Sequence, residues 1–287
     1  EVRSSLEMDK PLVLVQEADP AKGGGTLTAL RAECPEELQP DIFDQDWPLT
    51  IWYRIEEFQL VSLKITAEAL LLCSPNFLGS TSLPLTVTGE LRIRAFGFST
   101  FAKVWASPAN AGARELAEEL VAAFPGLTVS TAEEAGDATH MLLYLNEHSF
   151  SDERLAEQVT QARQDRLPIV MAHENDPDLG GCEFSKFFET TPQELIAGGL
   201  YKDLARSCFP GRHREVSLVL LAQGLGATPV KSSAGLRSSI VRRTSTAFRS
   251  FGGLRLRASE RSTSGEAEAV ASASAASAST SASAEHV

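Results

Sequence analysis

The chain has 287 residues, 43% of them apolar and 22% charged, a composition that supports a packed core in one large domain or two smaller ones. Its net charge of −12 is uneven: from Lys231 onward eight Lys/Arg face four Glu, a balance of +4, which leaves −16 on residues 1–230. So acidic a body repels phosphates and excludes nucleic-acid wrapping, and no apolar run reaches the eighteen residues a membrane span needs.

The first residues, "EVRSSLEMDK", read as the end of a helix that precedes a buried strand, "PLVLV" (11–15). An opening on Glu1 rather than Met suggests a fragment with an unseen N-terminus, so targeting is open; the four cysteines show no CxxC spacing, which points to reduced thiols and a cytoplasmic setting. After the strand, "QEADPAKGGGTL" (16–27) combines Asp-Pro with a glycine run, the chemistry of a turn that leaves a strand's carboxyl end and reverses direction. "CPEE" starts a helix, "LTIWY" (49–53) reads as a second strand, and a longer helix covers roughly Glu56 to Leu72.

This series returns later. Aligning Pro11 with Pro168 gives an ungapped match through Leu38 and Leu195, in which Val13, Glu17, Asp19, Pro20, Gly23, Gly24, Pro35 and Glu37 recur as Val170, Glu174, Asp176, Pro177, Gly180, Gly181, Pro192 and Glu194. After a two-residue shift, Val61-Ser62-Leu63 matches Val216-Ser217-Leu218. A repeated supersecondary unit accounts for such a pattern. The second copy adds "TPQE" (191–194), a capping box with Thr191 as N-cap, Pro192 at N1 and Glu194 at N3, a helix stop at Gly198-Gly199, a strand in "LARSCF" (204–209) and a helix from His213 to Leu225.

More chain precedes the second copy. Residues 74–100 read as a linker, followed by a strand "FAKVWAS" (101–107), a helix over 112–124, strands "GLTVS" (126–130) and "ATHMLLYLN" (138–146), and a helix over 151–166 capped by Ser151 or Asp152. The expected fold is therefore α/β, a flavodoxin-like parallel sheet of about five strands with helices on both faces. It comes in tandem: a carboxyl-terminal half domain over 1–73, then a complete domain over 101–227. From Thr228 to Val287 a basic stretch gives way to "ASASAASASTSASA", a composition that forms no core and predicts a disordered tail.

The order of strand, helix, short strand, "HMLLYLNEHSF", helix and "LPIVMAHENDP", with Ala106-Ser107 ending the first strand and Arg166-Leu167-Pro168 leading into the fourth, resembles a TIR (Toll/interleukin receptor) domain. "DPxxGG", "FFETTPQELI" and "GLYKDLA" resemble the divergent tandem TIR-like modules of large proteins of unicellular eukaryotes. A receiver-like α/β domain fits the same order of elements. The resemblance implies a signalling or assembly module that works by TIR–TIR or self-association. In some members it also implies cleavage of NAD at the nicotinamide–ribose bond, for which a helix carboxylate stabilises the ribosyl centre. Counting from Leu145 puts Gln158 at the position of that carboxylate and Arg154 at the position of the aromatic before it; Glu1 is in register in the first copy, and Glu157 reaches the site only if the helix slips by one residue, about 100°. The expectation is an association module without catalysis and without a cofactor. The alternative is an NAD glycohydrolase using Glu157 with Ser107 and Asn110 beside the nucleotide; a small-molecule transferase or receiver has no motif to support it.

Other constellations are weaker. His173, Glu174, Asp176, Asp178, Cys182 and Glu183 crowd the second elbow, but the first copy replaces four of them, so no metal site is expected. The glycine runs match no phosphate-binding loop, and His140 and His148 flank the third strand without a catalytic partner. In the tail, Arg242 and Arg243 ahead of Ser245 make a candidate phosphorylation site, and the interleaved Arg and apolar residues make contact with an anionic membrane surface a lesser alternative.

Overall fold

A computed structural model describes residues 1–17 and 19–230. The first copy runs α1 (Val2–Glu7), β1 (Leu14–Glu17), α2 (Leu27–Glu33), α3 (Gln39–Phe43), β2 (Leu49–Trp52) and α4 (Glu56–Leu72). The second part runs β3 (Phe96–Gly97), β4 (Ala102–Trp105), α5 (Ala113–Ala123), β5 (Leu127–Ser130), β6 (His140–Leu145), α6 (Glu153–Gln164), β7 (Ile169–Glu174), α7 (Phe187–Thr190), α8 (Gln193–Ala197), β8 (Arg206–Cys208), α9 (Arg214–Gly224) and β9 (Thr228–Pro229). Five strands form one parallel sheet in the order β5-β4-β6-β7-β8, the doubly wound flavodoxin-like arrangement in which the first strand sits between the second and the third. The expected fold class is what the chain adopts.

Alternation along the strands sorts the side chains into two layers. Leu142 and Tyr144 of β6, with Val170 and Ala172 of β7, join Leu116 and Leu120 of α5, Leu218 and Leu221 of α9 and its C-cap Leu225 in one core. Met141, Leu143 and Leu145, with Met171, face the other way onto Leu155 and Val159 of α6 and onto Phe187 and Leu195. The helix α6 starts where its side-chain cap predicts, Asp152 accepting the Arg154 N–H at 3.0 Å.

The repeat is structural. β1 pairs in parallel with β2 as β7 pairs with β8, Glu17 standing opposite Trp52 and Glu174 opposite Cys208. In each elbow the strand-ending glutamate accepts the N–H two residues on, Asp19 at 3.0 Å and Asp176 at 2.9 Å. Each of those aspartates then accepts the next N–H but one, from Ala21 and Asp178, and its carbonyl accepts the second glycine's N–H. Gly23 and Gly180 turn through φ of +82° and +78°, and a Cβ on Gly24 or Gly181 would lie within 2.7 Å of backbone atoms, so neither glycine tolerates a side chain.

Three expectations need correction. The capping box at Thr191 does not form: α8 begins at Gln193 with Pro192 as N-cap, the Thr191 hydroxyl is taken by Tyr201 Oη at 2.6 Å, and the Thr191 N–H, which Glu194 would have accepted, closes α7 on Phe187 O. The linker is not free along its length, since Leu91, Ile93, Phe96 and Phe98 pack on the first core layer. Thr228 and Pro229 belong to the fold rather than to the tail, pairing antiparallel with Phe96 and Gly97. Ser245 and the rest of the basic tail lie outside the described residues.

The two copies meet through equivalent residues. Strand and helix registers make Tyr53, Phe58, Val61, Ser62 and Ile65 the counterparts of Phe209, His213, Val216, Ser217 and Leu220, and these residues form one buried patch. Tyr53 stacks on Phe209 at 3.9 Å, and the two crossed pairs, Tyr53–His213 and Phe58–Phe209, match at 4.7 Å and 80° against 4.8 Å and 87°. That is a pseudo-two-fold, isologous contact. His213 shares a 3.0 Å hydrogen bond with Ser62, and burial, with the Arg212 charge adding to it, lowers its pKa to about 4.

The imidazole therefore ionises near its ordinary 6.5 in the unfolded chain and only near 4 in the fold, so the unfolded state binds the extra proton between them. Stability present above pH 6.5 is expected to fall by up to about 3 kcal/mol as pH drops to 4. Urea midpoints across that window check it; His213→Phe, which copies Phe58, flattens this part of the profile.

Candidate functional site

Open parallel sheets bind ligands beyond the carboxyl ends of their strands where the strand order reverses, here between β4 and β6. β4 pairs with β6 only at Val104↔His140 and Trp105↔Met141, after which the two strands have separated. Asn110 fills the gap. Its Oδ1 accepts the Tyr144 N–H at 2.7 Å and its Nδ2 donates to the Tyr144 carbonyl at 2.8 Å, so one buried amide supplies the two bonds a neighbouring strand would have made. Asn146, also buried, donates to Ala111 O at 3.0 Å and accepts the His148 N–H at 3.0 Å, while Ser149 bonds both the Asn146 N–H and the Tyr144 carbonyl.

Ser107 and Gln158 close the other side. The buried Ser107 hydroxyl donates to Gln158 Oε1 and accepts the Ala109 N–H, and Gln158 Nε2 donates to the Glu133 carbonyl at 2.9 Å. The amide at this position is therefore used as both donor and acceptor. A carboxylate there would keep the bond from Ser107 but set a negative oxygen against the Glu133 carbonyl.

The helix pattern read from the sequence expects an acid at the position of Gln158, and Glu157 is the neighbouring candidate. Glu157 is exposed and absent from the walls of the adjoining cavity, a space of about 460 Å³ lined by Trp105, Glu133, Glu134, Gln158, Gln161 and Asp165 among others. The charged groups on that wall are all acidic, so the cavity disfavours the pyrophosphate of a dinucleotide. A second groove, about 330 Å³, lies over Ser107, Asn110 and Gly112 with Arg114 and Glu115 at its rim; Arg114 is engaged with Glu115 at 3.2 Å. Arg154 pairs with Asp152 at 2.7 Å and with Glu133 at 3.3 Å. Glu1, the in-register residue of the first copy, is an exposed N-cap without a side-chain capping bond.

The second elbow's polar cluster is committed to structure. Glu174, with no solvent exposure, accepts N–H bonds from Asn175 and Asp176 on one oxygen and bonds from Tyr144 Oη and Arg214, both at 2.8 Å, on the other. Arg214 forks onto Glu119 at 2.7 and 3.1 Å; burial works against its charge, and the two carboxylates more than offset that, holding its pKa above the ordinary value. Burial, reinforced by Glu174, pushes the Tyr144 phenol upward in the same way. His173 bonds the Cys182 carbonyl at 2.7 Å and packs against Phe184 and Phe187. Among the described residues no group of three His, Cys, Asp or Glu side chains is arranged to hold a metal. His140 bonds Thr139 at 2.9 Å, with its pKa lowered by burial, and His148 is exposed beside Glu147 at 3.6 Å. Comparison of the chain with protein-family models, with curated proteins and with solved structures finds no match.

Sequence reasoning missed Glu119, Tyr144, Asn146 and Arg214. One signal pointed to Tyr144 and Arg214: a glutamate ending an apolar strand in both copies needs donors for its carboxylate, and Arg54 at 2.8 Å, itself exposed, supplies one for Glu17.

Asn110→Ala is expected to cost about 2–4 kcal/mol, because it strands the Tyr144 N–H in the core, and Asn110→Asp recovers only part of that. Ser107→Ala is expected to cost about 1 kcal/mol. Denaturant midpoints of the three variants give the order; equal, small losses in all three variants would mean the gap is held open by something other than Asn110.

Proposed function

We propose that the chain is a non-catalytic association module, a TIR-like signalling or assembly unit that works by pairing one module with another. The observation that carries this reading is the pseudo-two-fold contact between the copies, where equivalent residues meet across one patch and the crossed aromatic pairs agree within 0.1 Å and 7°. A self-complementary patch of this kind is what a homotypic contact requires. Its centre joins Phe58, Val61 and Val216 with one polar bridge, Ser62 to His213.

The state of the sheet's carboxyl end supports the same reading. Polar groups that would meet a nucleotide are saturated by one another, the position for a catalytic acid is an amide with both ends bonded, and the adjoining cavity is acidic. NAD glycohydrolysis is the competing reading. It needs Glu157 to swing toward Ser107 and an anionic substrate to enter an anionic cavity.

Two measurements test this. Residues 74–230 expressed alone uncover the Phe209–Leu220 patch and are expected to form a dimer by sedimentation, lost in Val216→Asp; a monomer at all concentrations overturns the pairing reading. The full chain is expected to release no nicotinamide from NAD. Release that disappears in Glu157→Gln turns the assignment to the enzyme.

A further inference from the structure

The repeat gives each residue of the first copy a reference position in the second, and at one face the two differ. Ala172, Leu218 and Leu225 are 0%, 5% and 1% exposed, sealed beneath α5 in the first core layer. Their counterparts Val15, Leu63 and Leu70 are 48%, 46% and 58% exposed. The chemistry of the face is unchanged, leucine for leucine at two positions; its cover is missing. β1 shows the same deficit. Its counterpart β7 is paired on both sides, by β6 and β8, whereas among the described residues β1 is paired by β2 alone. A strand with one open side next to bare leucines is a ready acceptor for a further strand and helix.

We infer that this face is the docking site for the front half of a module: a strand–helix–strand–strand segment whose last strand pairs in parallel with β1, as β6 pairs with β7, and whose helix lies over Leu63 and Leu70, as α5 lies over Leu218 and Leu225. The point of attachment follows from register. Val2–Glu7 matches Val159–Gln164, the second half of α6, so a probe segment fused ahead of Glu1 continues that helix in register. The inference rests on the repeat and is independent of the association reading: it concerns the α5-like face, not the Tyr53–Phe209 patch.

The test uses the full chain, carrying a copy of its own residues 101–157 fused ahead of Glu1, the probe whose chemistry the repeat specifies. Amide exchange over 13–17 and 63–71 is expected to slow at least about tenfold relative to the unextended chain. The pair Leu63→Lys and Leu70→Lys, both at exposed positions, is expected to remove that protection while leaving the circular dichroism of the unextended chain unchanged. Exchange that stays fast overturns the inference, and the same result with Val15→Ala, which restores the residue found at Ala172, removes poor fit of the probe as an explanation. Protection that arises instead in the unextended chain on raising its concentration, and disappears in the same lysine pair, also overturns it by assigning the face to a second copy.

Discussion

A carboxylate with no access to water governs the second elbow. Glu174 ends β7 inside the sheet, and an unpaired charge there would be untenable. Four bonds make it acceptable: two backbone N–H groups fix the path of the turn, Tyr144 ties in β6, and Arg214 ties in α9 and, through Glu119, α5. One side chain thus sets the position of two strands and two helices around the crevice. Such a buried pair adds less to net stability than to uniqueness, since removing either partner abandons the other, whereas mispacked alternatives cannot satisfy both.

How much of this was legible depends on the range over which each signal acts. The strand and helix order, the elbow and the repeat are local patterns of polarity and turn chemistry, and they placed most elements within a few residues. Long-range partners left no such trace. Nothing local distinguishes Asn110 as a substitute for a strand, because its meaning lies in Tyr144, thirty-four residues away. Thr191 carries a valid capping signal that a competing partner, Tyr201, overrides. Phe96-Gly97 and Thr228-Pro229 are too short to show alternation, so their pairing was invisible in either segment alone. The acid at Glu157 and the amide at Gln158 were both readable, but which of them turns inward is decided by the rotation of α6, with Leu155, Val159 and Ala162 facing the core.

The two copies have diverged in a way that their shared contact makes visible. Phe58 and His213 occupy one position of a pseudo-symmetric patch with two chemistries, one indifferent to protons and one held neutral by burial. The symmetry that forms the contact is thereby broken at its centre, and the break gives a direction to a contact that a true homodimer could not distinguish from its reverse.

The short ladder between β3 and β9 brings the chain's entry to the complete module next to its exit, Phe96 opposite Pro229. A pull applied to the two ends therefore acts across this ladder at one point and opens its bonds one after another, as a zipper does, rather than shearing them together. Val230 to Ala95, at 2.8 Å, is the first bond to carry that load. Tension applied at that point loads this clasp before it loads the parallel sheet.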